Sequence, residues 1–142
     1  DRLRGKAPGF EHAYLSGFAA TLGITESRRL VGRHVLTREE MDQPIDDVVA
    51  VTGNWTKYGA IYNIPFRSLQ ARATSNLLTA GRCISVDHRT HHATKEIPAC
   101  FATGEAAGTA AALALQHGVA FEALDAGSLQ TRLRAAGAYL GR

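Results

Sequence analysis

For most of its length the chain sets short apolar runs between breakers, and a helical pattern emerges only in its last third. From Ala13 to Leu22 apolar and small residues mix without a clear period, and Gly23 ends the run. Leu30-Val31 and His34-Val35-Leu36 read as strand pieces around Gly32. Thr37-Arg-Glu-Glu40 is a capping box, which predicts a short helix from Arg38 to about Asp42, stopped by Pro44. Val48 to Thr52 is a β-branched run and predicts a strand. Residues 54–63 read as a loop. Ile64 to Leu69 reads as short and extended, with Pro65 unable to hold a central ladder position. Leu77 to Ala80 predicts a strand buried on both faces, ending in a tight turn at Gly81, and Ser85 to Ile97 reads as a loop. A long helix is expected from about Pro98 to Gln116, with proline in its first turn and Gly118 closing it. Asp125 or Ser128 caps a last helix, Leu129 to Ala136, which Gly137 ends.

The long helix is unusual in being built from small residues. Gly104 and Gly108 lie four apart and share one face, which Ala111 and Ala112 continue. Each interior glycine costs about 1 kcal/mol relative to alanine, so two of them point to something approaching the backbone closely. Helix spacing alone favours tight packing against another element. The residues before it, Ile97-Pro98-Ala99-Cys100, shift the balance toward a ligand. Free amides at a helix start, together with the macrodipole, favour negative charge, as on the N1–C2 edge of a reduced flavin. The Ala80-Gly81-Arg82 turn would let backbone approach a ligand at the carboxyl edge of a parallel sheet, although alone it reads as an ordinary turn.

Two further groups carry candidate chemistry. His88, His91 and His92 stand beside Asp87 and Glu96. On a loop they lack the spacing of metal ligands, so no metal site is expected. His88, nearest the strand end, is the candidate proton-handling residue. His91 and His92 read equally well as solvent-exposed side chains. Arg67, in Tyr62-Asn-Ile-Pro-Phe-Arg67, is the candidate clamp for a substrate carboxylate or sugar oxygen.

Composition narrows the partners. The 142 residues are 45% apolar and 20% charged, an ordinary globular balance. The net charge of +3 comes from scattered arginines that form no stripe, so no nucleic-acid partner is expected. Two cysteines, Cys83 and Cys100, are too few for a disulfide framework and fit a reducing, cytoplasmic setting. The longest apolar run, Ala106 to Leu115, is far short of the roughly 20 residues a membrane span needs. A start at Asp1 suggests a processed piece or one subunit of something larger.

Several segments together carry a resemblance. They are Glu26-Ser-Arg-Arg-Leu-Val-Gly32, Leu36-Thr37, Tyr62-Asn-Ile-Pro-Phe-Arg-Ser-Leu69, Asn76-Leu-Leu-Thr-Ala-Gly-Arg-Cys-Ile-Ser85, His88, Pro98-Ala-Cys100 and Gly104-Glu-Ala-Ala-Gly-Thr-Ala-Ala-Ala112. Across nearly its whole length the chain resembles the C-terminal portion of the FAD-dependent oxidoreductases related to the flavoprotein subunit of succinate dehydrogenase and fumarate reductase.

The resemblance implies an α/β fold. Residues 1–70 would be the tail of an α+β substrate domain and return crossover, and residues 71–142 the C-terminal part of a Rossmann-like FAD-binding domain. The cofactor would be FAD, with hydride transfer to or from a small organic substrate. Ala80, Gly81 and Arg82 would lie along the ribityl–pyrophosphate portion of FAD. Pro98, Ala99 and Cys100 would lie by the flavin pyrimidine edge, with Gly104 and Gly108 behind them. Arg82 stands where the wider superfamily often has an acid. No Gly-x-Gly-x-x-Gly fingerprint is present, so a second polypeptide is expected to carry the N-terminal half of the FAD site. The competing expectation is a non-catalytic scaffold or interaction module that kept the helix and lost the cofactor.

Overall fold

A computed structural model describes residues 2–141. Its regular elements are β1 (Val48–Gly53), β2 (Ile61–Pro65), α1 (His88–Thr94), α2 (Ile97–His117) and α3 (Ala126–Ala135), joined by short 3-10 turns. Among the described residues the sheet has two strands, β1 and β2, paired antiparallel from Gly53 opposite Ile61 to Val48 opposite Pro65. Pro65 closes β2 at its end, where a missing amide costs no central ladder bond. Tyr62 and Asn63, expected in a loop, lie inside β2.

The core gathers on one side of this hairpin. Leu36, Tyr62, Ile64, Leu69, Ile84, Leu129 and Leu133 are all buried, and both the first and second halves of the chain contribute to the cluster. Burying a leucine or isoleucine contributes about 1.5–3 kcal/mol, so these side chains carry much of the fold's stability. α3 contributes Leu129 and Leu133, four apart on one face. Asp125 caps it by accepting from the Ser128 amide. α2 packs across β1 on a face made of Ala99, Thr103, Ala106, Ala110 and Ala114. Such small side chains bring the helix backbone close to the strand. Gly118, at φ +66°, ends α2 in the left-handed conformation a glycine adopts without strain.

Further expectations need correction. Leu77 to Ala80 is not a doubly buried strand of a parallel sheet: it pairs antiparallel with residues 69–71 through Ala71 N–H to Leu77 O and Thr79 N–H to Leu69 O, and Leu77 is 45% exposed. No parallel neighbour flanks it among the described residues, so only one face of the run is covered, with Leu78 packed against the core. The pieces at Leu30-Val31 and His34 to Leu36 form only single bridges, Gly32 to Ala71 and Leu36 to Val86. The capping-box helix is one 3-10 turn, Arg38–Glu40, with both reciprocal bonds of the box in place. Residues 85–97 are not a continuous loop, because the Asp87 carboxylate caps α1 by accepting from Thr90 N–H at 2.6 Å.

Gly32 is the most tightly surrounded of the glycines. A Cβ there would sit 2.5 Å from Ser85 Cβ and 2.9 Å from its Oγ, the atom that accepts the Gly32 amide. Gly32→Ala is therefore expected to destabilise the chain by about 1–3 kcal/mol through overpacking. Urea denaturation of the two proteins measures it, and equal midpoints would refute the crowding.

Candidate functional site

The end of α2 meets a turn and a short helix, and the three are tied together by backbone groups. Ala80 leads into a 3-10 turn at Gly81–Cys83, and Gly81 adopts φ +70°. The Gly81 amide donates to Thr103 Oγ1 at 2.9 Å, and that hydroxyl donates to Ala99 O at 2.7 Å. Thr103 is fully buried, so it fixes the turn against the first turns of α2. Thr103→Val removes the acceptor at nearly constant shape. The orphaned Gly81 amide should cost about 1–3 kcal/mol in a denaturation experiment, and a neutral result would contradict this account of the turn.

On the other side of the turn, His91 Nε2 lies 2.9 Å from Arg82 O, and Arg82 Nε donates to Lys95 O at 3.4 Å. A carbonyl only accepts, so His91 carries its proton on Nε2. His91 is 1% exposed, which corrects its reading as a surface histidine. It is the anchor of the turn, and the sequence signal was its place four residues after the Asp87 cap. Burial is the largest influence on the Asp87 carboxylate and pushes its pKa upward. The amides of Thr90 and Arg38 and the nearby Arg29 outweigh it, leaving the pKa below its ordinary value. The cap is thus intact at neutral pH, and its stabilisation disappears as pH falls through that lowered pKa.

Six of the singled-out residues, Ala80, Gly81, Arg82, Pro98, Ala99 and Cys100, are brought together here. Cys100 packs against the turn, 3.5 Å from where a Gly81 Cβ would sit, and its thiol points to Lys95 O. Burial pushes the Cys100 thiol above its usual range, so it is neutral at physiological pH. The start of α2 has no side-chain cap, since Glu96 makes none, and Pro98 has no amide. Ile97 and Pro98 lie exposed at this end. Arg82, Ile97, Cys100 and Phe101 line an open hollow beside it.

Gly104 and Gly108 run back along α2 from that hollow. Among the described residues nothing approaches either: an added Cβ would meet no atom within 4 Å. They share an outward face with Ile97, Phe101 and Leu115, which are 64%, 75% and 85% exposed. The buried face is the alanine face opposite. Close packing within this chain therefore does not explain the two glycines.

His88 and Arg67 lie apart from each other. His88 Nδ1 is 2.8 Å from Glu26 Oε2 and lines a cleft of about 370 Å³ with Glu26, Arg38, Arg89, His92 and Lys95. The hydrogen bond to His88 holds the Glu26 carboxyl below the usual range. Arg67 does not line this cleft. Asp47 takes its Nε and Nη2 in a two-point pair at 3.0 and 3.1 Å and also accepts its amide. That pairing holds the guanidinium still more firmly protonated. Among the described residues no group of three His, Cys, Asp or Glu side chains is arranged to hold a metal ion, and no helix is long and apolar enough to cross a membrane.

A family model described as FAD dependent oxidoreductase matches residues 1–133. No curated protein and no solved structure matches the chain.

Proposed function

The chain belongs to the FAD dependent oxidoreductase family, whose cofactor is FAD, and from that premise we propose that it forms the flavin-facing C-terminal part of such an enzyme. The enzyme is related to the succinate dehydrogenase and fumarate reductase flavoproteins. In this reading residues 71–142 complete a Rossmann-like FAD domain and residues 1–70 end a substrate domain. The observation that carries the proposal is the uncapped, solvent-open start of α2, set beside the Gly81 turn and continued by an uncovered glycine face.

These residues fit one edge of FAD. The positive φ at Gly81 lets the chain turn tightly against Cys100, which brings the turn's backbone up beside the start of α2. The first turn of α2 offers unshared amides and the positive end of the dipole, which suit the anionic edge of a reduced flavin. Cys100, kept neutral by its surroundings, adds no opposing charge there. Ala99 brings backbone to the same edge, and Gly104 and Gly108 leave room for an element packed behind it. The residues do not fit the whole group, since no glycine fingerprint for the pyrophosphate and adenosine is present. Polypeptide outside these 142 residues supplies that half and covers the open face of α2.

When bound, FAD supplies hydride acceptance and donation at N5. The chain's own residues do the rest. The start of α2 holds negative charge in place, and Arg82 offers an exposed cation beside the turn. His88, held by Glu26 in an open cleft, handles the substrate proton. Arg67, outside that cleft, would clamp a distal group of the substrate through the donors that Asp47 leaves free. The test is purification of the chain with the polypeptide that completes it. Flavin absorbance should appear in the complex and be absent from the isolated chain. A colourless complex would leave the scaffold reading standing.

A further inference from the structure

The cleft beside α1 contains more positive charge than its surroundings neutralise. Arg38 reaches it from the 3-10 turn, Arg89 and His92 from α1, and Lys95 from the end of α1. Among the described residues, the guanidinium groups of Arg38 and Arg89 have no carboxylate within ion-pair distance and no hydrogen-bond acceptor. The one carboxylate lining the cleft, Glu26, is already engaged by His88 and by Arg29 at 3.2 Å. His92 is engaged within α1, its Nδ1 donating to the Arg89 carbonyl.

We propose that this cleft is an oxyanion site for a phosphate monoester, held by Arg38, Arg89 and Lys95. Three permanent cations against one neutralised acid suit a group of charge near −2 better than a monocarboxylate. Two guanidinium forks and an ammonium match three acceptor oxygens. A volume of about 370 Å³ is ample for a phosphorylated small molecule whose remainder extends into solvent or toward α2. Lys95 joins the two regions, because its carbonyl accepts from Arg82 and Cys100 at the start of α2 while its side chain lines the cleft. The proposal stands on the cleft alone and does not require bound flavin.

Calorimetric titration of the full chain at constant ionic strength tests it, with inorganic phosphate and acetate as separate probes. Phosphate is expected to bind, and acetate to bind at least about tenfold more weakly. Arg38→Gln and Arg89→Gln should each weaken phosphate by about tenfold with unchanged thermal unfolding, since neither side chain holds a partner in the fold. Arg33→Gln, an exposed arginine paired with Glu122 outside the cleft, should leave phosphate affinity unchanged. No phosphate binding, acetate binding as tight as phosphate, or equal losses in all three variants would overturn the site. The flavin proposal can fail without affecting any of these outcomes.

Discussion

Gly108→Leu in the flavin-loaded complex is expected to remove bound flavin almost completely while leaving the chain itself folded. The two halves of this expectation rest on different surfaces. Among the described residues Gly108 faces open space, where an added Cβ meets no atom within 4 Å. Replacing an exposed helical glycine by a good helix former should even raise the chain's own stability by about 0.8–1 kcal/mol. In the proposed enzyme the same face would lie behind the flavin edge of α2, where another backbone would come close. An isobutyl group there holds that element away and opens the cofactor site. Flavin absorbance per protein and the unfolding midpoint of the isolated chain, measured together, separate the readings. Retained flavin with a leucine at 108 would mean that α2 presents some other face to its partner. Loss of folding in the isolated chain would mean that Gly108 is packed within it.

Ile97→Asp should move stability and redox behaviour in opposite directions. Residue 97 opens α2 and is 64% exposed. A carboxylate there complements the helix dipole and should stabilise the chain by about 0.3–1 kcal/mol. The same charge opposes the negative edge of a reduced flavin. At about 8 Å with an effective dielectric constant near 20, the repulsion is about 2 kcal/mol. For a two-electron couple that lowers the midpoint potential by roughly 40 mV. Ile97→Asn, nearly the same shape without the charge, should leave the potential close to its original value. A potential unmoved by aspartate would place the flavin away from this helix end, whatever happened to stability.

The parts of the fold that could be read from sequence are those whose cause is local. The capping box at Thr37, the β-branched run at Val48, proline and glycine at the two ends of α2 and the cap at Asp125 each specify their own geometry. Those that could not be read depend on distant partners. Leu77 to Ala80 has the composition of a buried strand, but composition does not say whether a neighbour is present to bury it. Among the described residues it pairs with residues 69–71 alone. α1 was hidden because histidine and threonine are weak helix formers, and its single strong signal is the Asp87 cap with Thr90 three residues on. The burial of His91 and the pairing of Arg67 with Asp47 follow from tertiary placement, which spacing along the chain does not encode.

The candidate site divides the same way. The small-residue helix and the Gly81 turn are adjacent because Thr103 links them, and one threonine among many polar residues carries no advance notice of that bond. The glycines of α2 were legible as an invitation to close approach, because they cost helix stability with no local return. The chain leaves that face uncovered, so whatever approaches comes from outside it.

The most direct measurement is the position of the isoalloxazine in a high-resolution map of the flavin-loaded complex. The account places its C2 carbonyl oxygen within hydrogen-bond distance, about 3 Å, of an amide in the first turn of α2, with an outside backbone lying against Gly104 and Gly108. Hydrocarbon side chains packed against that turn, with the flavin elsewhere, would contradict it.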